Sequence, residues 1–272
     1  MFRLLLISII FCALNVYPVF AEEAQTAPAN TGIAKVVEKI MGKETKIIRV
    51  DASEKSPVEG WKQIRVWIES AYGQTPILFY STEDGNFIFA GSIFSASGEN
   101  LTKKDVGETK PKSVENAKME LNEDYRIGNK DSLVKAVLWI GADPYSRELF
   151  ETFYDLYNKN KDKVVLYVKF YPRSGPDMEK IKALTCFKND ALVHAIRVIY
   201  DANPAWGTQE HLDAFKNTGD QKACNDELVV KDLKLATALK LPVQPVAFVN
   251  GTMLIDKATK ENIMKLSGIE LK

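Results

Sequence analysis

The sequence predicts two domains of different class, a small α+β unit followed by an α/β unit. Three observations carry this. Four short apolar runs between Lys46 and Gly91 follow one another with turn signals and little helical periodicity. Two continuous apolar runs, Val134–Ile140 and Lys163–Tyr171, flank a helical apolar face at Leu149, Phe150, Phe153, Leu156 and Tyr157. That is the βαβ pattern of a parallel pair buried on both faces. Between the two patterns lies a polar stretch, Ser97–Lys112, rich in Gly, Lys and Thr, which reads as a hinge.

The chain has 272 residues, 46% of them hydrophobic, so it can build a sizeable core in one large or two ordinary domains. Its formal net charge is zero, which gives no footing for a nucleic-acid partner. Residues 1–21 read as a secretory signal: Arg3, an apolar run from Leu4 to Leu14, and cleavage expected after about Ala21. The run is too short for a comfortable membrane span. An exported protein with no membrane attachment after cleavage is expected. Cys12 falls inside the signal, which leaves Cys186 and Cys224. An even cysteine count in an exported chain implies a disulfide, worth about 4 kcal/mol for a loop of this length. The two histidines, His194 and His211, form no short-spaced ligand pair, so neither metal nor cofactor is expected.

In chain order, residues 22–30 read as a flexible leader. Ile33, Val36, Val37, Ile40 and Met41 recur at helical spacing, with Gly42 as the stop. The strands follow: Lys46–Val50, Trp61–Glu69 with alternating Ile64, Val66 and Ile68, Thr75–Tyr80, and Phe87–Gly91, the last two joined by an Asp84-Gly85 turn. A first domain at residues 31–105 results. Residues 106–130 are expected to be a hinge and a linker helix over Ser113–Tyr125, from Glu115, Ala117, Met119, Glu120 and Leu121. The second domain is expected at residues 131–272. There Asp143 is an N-cap and Pro144 the first helical residue. Asp177–Tyr200 reads as one helix containing Cys186, a short helix reaches Phe215, and Asp226–Leu239 is amphipathic. Asn250-Gly251 marks a hairpin, and Lys257–Leu266 a last helix.

The turn after the first strand of the second domain resembles the active-site turn of thioredoxin-fold disulfide isomerases. Where those have Cys-Pro-Tyr-Cys or a similar motif, this chain has Asp143-Pro144-Tyr145-Ser146. The run from Tyr80 to Phe94 resembles the N-terminal dimerisation domain of the DsbC/DsbG family of periplasmic disulfide isomerases. The resemblance implies a thioredoxin-like domain with a helical insertion, preceded by a small cystatin-like α+β dimerisation domain and a linker helix. It also implies a periplasmic homodimer paired through the N-terminal domains, and a structural Cys186–Cys224 disulfide in the insertion. Gln244-Pro245 falls where the family has a cis-proline facing the turn, with Gln244 a departure from the small residue usual there.

Exchange of disulfides needs a thiolate, and neither Asp143 nor Ser146 can supply one. The catalytic positions are thus degenerate, which points away from an enzyme. The expected function is a redox-inactive, isomerase-like chaperone or polypeptide-binding module for unfolded or extended clients. Trp139, Tyr145, Gln244 and Pro245 are its expected peptide-binding residues. The alternative is an oxidoreductase or isomerase working through Cys186 and Cys224, 38 residues apart. A serine hydrolase built on Ser146 lacks a Gly-x-Ser-x-Gly elbow.

Overall fold

The computed structural model describes residues 31–51, 54–201, 209–219, 224–242 and 245–272. The expected signal, the leader and Gln244 lie outside them. The first domain opens with α1 (Thr31–Met41), closed by Gly42 at φ +95°. An antiparallel sheet follows from β1 (Ile47–Val50), β2 (Glu54–Lys55), β3 (Trp61–Ser70), β4 (Gly73–Thr82) and β5 (Ile88–Ala90). The alternation in β3 does what period 2 dictates. Ile64, Val66 and Ile68 share one face with Phe79 and pack against Val37 of α1. The β4–β5 loop is held by Asp84, which accepts hydrogen bonds from Thr82 Oγ1 and from the main chain and side chain of Asn86. A short helix, α2 (Leu101–Asp105), closes this unit.

The linker departs from expectation. β6 (Lys110–Pro111) pairs with the start of β4, and Ser113 bridges Thr252 in the second domain. Ser113–Tyr125, expected as a linker helix, holds only two single 3-10 turns, Asn116–Met119 and Glu123–Tyr125. Helix-forming composition is a weak preference that tertiary contacts override. Here Met119 is fully buried in the second domain, and Glu120 stops the first turn at φ +49°.

The second domain is a five-stranded mixed sheet in the order β11-β10-β8-β9-β7, from β7 (Arg126–Ile127), β8 (Val134–Ile140), β9 (Val164–Phe170), β10 (Val246–Val249) and β11 (Thr252–Met253). β8 and β9 are parallel and joined by α3 (Pro144–Lys159), as the βαβ pattern requires. β10 runs antiparallel to β8, and Asn250-Gly251 makes the β10–β11 hairpin with both residues at positive φ. With α8 (Lys260–Ser267) this is a thioredoxin-like fold. The helical insertion consists of α4 (Gly175–Leu184), α5 (Asn189–Asp201), α6 (Gln209–Thr218) and α7 (Asp226–Ala238). The helix expected over Asp177–Tyr200 is therefore two. The break at Thr185–Lys188 carries the Cys186–Cys224 disulfide, and Thr185 accepts the Tyr125 hydroxyl and the Asn225 amide.

The continuous apolar runs of β8 and β9 are buried on both faces. Ala136, Leu138, Ile140, Leu166 and Val168 face a large core with Phe150 and Phe153 of α3. Val137, Trp139, Val165 and Tyr167 face a second, smaller core with Met119, Ala236 of α7 and Phe248.

Candidate functional site

The turn between β8 and α3 is set by its cap. Asp143 Oδ1 accepts the amides of Tyr145 at 3.0 Å and Ser146 at 3.1 Å, which satisfies two orphan donors of the helix start. The Ser146 hydroxyl donates to Asp143 Oδ2 at 2.7 Å and accepts the Gly141 amide at 2.9 Å. Ser146 is fully buried. Its oxygen is committed on both sides and is closed to solvent, so it has no access to a substrate. His194 is exposed on α5, and the His211 side chain lies outside the described residues. No Ser-His pairing supports hydrolysis among the described residues.

A second layer holds this turn from below. Asp177, near the start of α4, accepts the Ala142 amide at 2.6 Å and also the Arg173 amide. Burial raises its carboxyl above the ordinary aspartate value, against the pull of those two amides, and nearby Asp143 adds to the rise. The Tyr200 hydroxyl donates to the Gly141 carbonyl at 2.8 Å. Burial holds this phenol well above its usual range, with Asp143 and Asp177 contributing.

Besides Pro144, what the turn shows to solvent is Tyr145, 66% exposed. Tyr145 borders a groove of about 440 Å³ whose apolar lining includes Leu149, Pro245 and Ala258, with Glu148, Arg173 and Lys257 adding charge. Tyr145 and Pro245, 100 residues apart in sequence, are thus brought together. Trp139 is not. It is fully buried on the sheet face away from α3, edge-on to Tyr171 and with the Lys169 ammonium 5.7 Å from its ring. Strand parity explains this correction. Leu138 and Ile140 face α3, so Trp139 must face the other way. It cannot touch a client in this conformation.

Reading the sequence also missed a buried ion pair. Lys169 Nζ lies 2.6 Å from Asp232 Oδ1, both side chains almost wholly out of water. The ammonium also donates to the Glu120 carbonyl, and Asp232 Oδ2 accepts the Phe170 amide. The signal was present as a lone Lys in the apolar run of β9, and as an Asp in helical register with Leu228, Val229 and Ala236. No group of three or more metal-ligating side chains occurs among the described residues, and no described helix is long and apolar enough to cross a membrane.

Residues 21–103 match the family model of the disulfide bond isomerase protein N-terminal domain. No curated protein matches the chain. Similar solved structures include a conserved protein of unknown function from Enterococcus faecalis, 16% identical, with a TM-score of 0.46 over 57% of this chain and 95% of that one. They include DsbA2 of Pseudomonas aeruginosa, at 13% identity and TM-score 0.44 over 53% of this chain and 92% of that one. Alpha-DsbA1 of Wolbachia pipientis is 15% identical, with a TM-score of 0.42 over 54% and 92%. Residues 21–103 are thus similar to the N-terminal domain of the disulfide bond isomerase proteins, and a domain of thioredoxin-like fold follows, its first α-helix opening on Asp-Pro-Tyr-Ser.

Proposed function

We propose that this protein is an exported, thiol-free relative of the disulfide isomerases that binds extended polypeptide as a periplasmic homodimer. The observation that supports it most is the division of labour within one turn. Asp143 and Ser146 are locked into a helix cap, while Tyr145 stands in solvent on a groove of mixed apolar and charged lining that Pro245 also borders. A scaffold that keeps the groove and replaces both thiols retains binding without exchange chemistry. Dimerisation is proposed through the first domain, where Phe87, Phe89 and Phe94 are 69%, 45% and 60% exposed along and beside the edge strand β5. A second chain adding there would pair the open edge and cover these rings. The rival reading, redox chemistry through Cys186 and Cys224, sits poorly with a Cys186 that is only 1% exposed.

The test is insulin reduction and refolding of scrambled ribonuclease, with the wild type beside an Asp143→Cys/Ser146→Cys variant, and aggregation suppression with a cysteine-free client. The wild type is expected to be inert in both redox assays and to suppress aggregation, and the variant to gain activity. Redox activity in the wild type, or no suppression at molar excess, would sink the proposal.

A further inference from the structure

Residues 110–114 lie between two sheets and hydrogen-bond to both. On the first-domain side, β6 pairs Lys110 with Gln74 and Pro111 with Gly73, and the Lys112 amide donates to the Tyr72 carbonyl at 2.8 Å. On the second-domain side, the Met253 amide donates to the Lys112 carbonyl at 2.8 Å, and the Val114 amide donates to the Gly251 carbonyl at 2.7 Å. Lys112 adds its side chain, donating to the Leu239 and Lys240 carbonyls at 3.0 and 2.9 Å, at the C-terminal end of α7. That end carries unsatisfied carbonyls and partial negative charge, which a lysine ammonium answers.

The two sheets are also shaped to receive this segment. A Cβ on Gly73 would come within 2.1 Å of the Lys110 carbonyl oxygen. A Cβ on Gly251 would come within 2.6 Å of the Val114 carbonyl oxygen. Both flanks are glycines where a side chain would collide with main chain, as close backbone approach requires. Beyond Val114 the segment continues across the second core. Met119 is buried there, the Glu120 carbonyl takes the Lys169 ammonium, and the Glu120 carboxylate meets Lys231 at 2.7 Å.

We infer that residues 110–121 are a splint rather than a hinge: a strand shared by both sheets, then a strap, that fixes the two domains of one protomer to each other. It also closes the β11 edge of the second sheet, so an added peptide strand cannot pair there.

Hydrogen exchange on the whole exported protein tests this. The Lys112 and Val114 amides are expected to exchange at least about a hundredfold more slowly than an open chain, as amides of ordered structure do. Lys112→Pro removes the donor to Tyr72 and the ammonium together. It is expected to widen the small-angle scattering envelope and to raise exchange at Val114, while β8 and β9 stay protected. Wild-type exchange over 110–114 at open-chain rates would overturn the inference. So would a folded Lys112→Pro variant whose scattering superimposes on the wild type.

Discussion

The two domains finish their sheets in opposite ways. In the second, both faces of β8 and β9 are covered, the β11 edge is closed by Lys112 and Val114, and the fold completes itself within one chain. In the first, α1 covers one face through a small core of Val37, Ile64, Val66, Ile68 and Phe79, while the β5 edge keeps its aromatic rings in water. A small unit buries a smaller share of its surface than a large one and has less to stabilise it. The contrast teaches where each domain gets its stability. The second relies on interior contacts, including a buried charge pair. The first keeps apolar surface that a partner would cover.

The largest expected effect breaks the completeness of the second domain. Asp232→Ala leaves the Lys169 ammonium buried with the Glu120 carbonyl and the Trp139 ring but no counter-charge. Loss of one partner of a buried pair costs about 3–5 kcal/mol. The double variant Lys169→Met/Asp232→Leu removes both charges and is expected to recover most of that loss. Urea denaturation of the three proteins measures it. A single variant as stable as wild type would mean that water reaches the pair.

The next sharpens the first-domain half of the contrast. Phe89→Glu places a charge at the middle of β5, beside a buried Tyr80 whose ring centroid is 6.2 Å from that of Phe89. If this edge is the dimer contact, self-association is expected to weaken by about 30-fold or more, the scale of a lost interface anchor. Sedimentation against concentration reads it, and unchanged association would move the interface elsewhere. Unfolding of the second domain should not shift.

The same contrast decides what the sequence could reveal. Strands such as β3 announce themselves by parity: Ile64, Val66 and Ile68 share the face that packs on α1, and Gln63, Arg65 and Trp67 alternate with them on the other. The cap at Asp143 and the hairpin at Asn250-Gly251 were legible because local backbone chemistry demands those residues. The run from Val134 to Ile140 was legible as a strand but silent about faces, which is why Trp139 looked available to a client and is not. The segment 113–125 misled because its helix-forming residues compete with partners 100 and more residues away, at Thr252 and Gly251, which no local pattern contains. The break at Thr185–Lys188 is likewise set from outside, by Tyr125, Asn225 and the bond to Cys224. Of the site, Tyr145 and Pro245 meet because the fold places β10 beside β8, and only the resemblance to thioredoxin-fold proteins anticipated that.

The smallest expected effect lies in the turn itself, and it separates a cap from a catalyst. Asp143→Ala removes the acceptor for two helix amides and for the Ser146 hydroxyl, which costs about 1 kcal/mol on the scale of lost N-caps. Asp143→Asn keeps a side-chain oxygen for the two amides but gives up the Oδ2 acceptor of the Ser146 hydroxyl and the charge at the helix start, the charge being worth about 0.3–1 kcal/mol. If the turn serves only to hold α3 and present Tyr145, both variants should bind a cysteine-free client as the wild type does, and thermal denaturation should rank them wild type, Asn, Ala. Tyr145→Ala should show the converse, with stability little changed because its ring lies in solvent, and with client binding weakened. Should Asp143→Asn abolish client binding while leaving the melting curve in place, the carboxylate would have to act on the ligand directly, and the turn would be more than a cap.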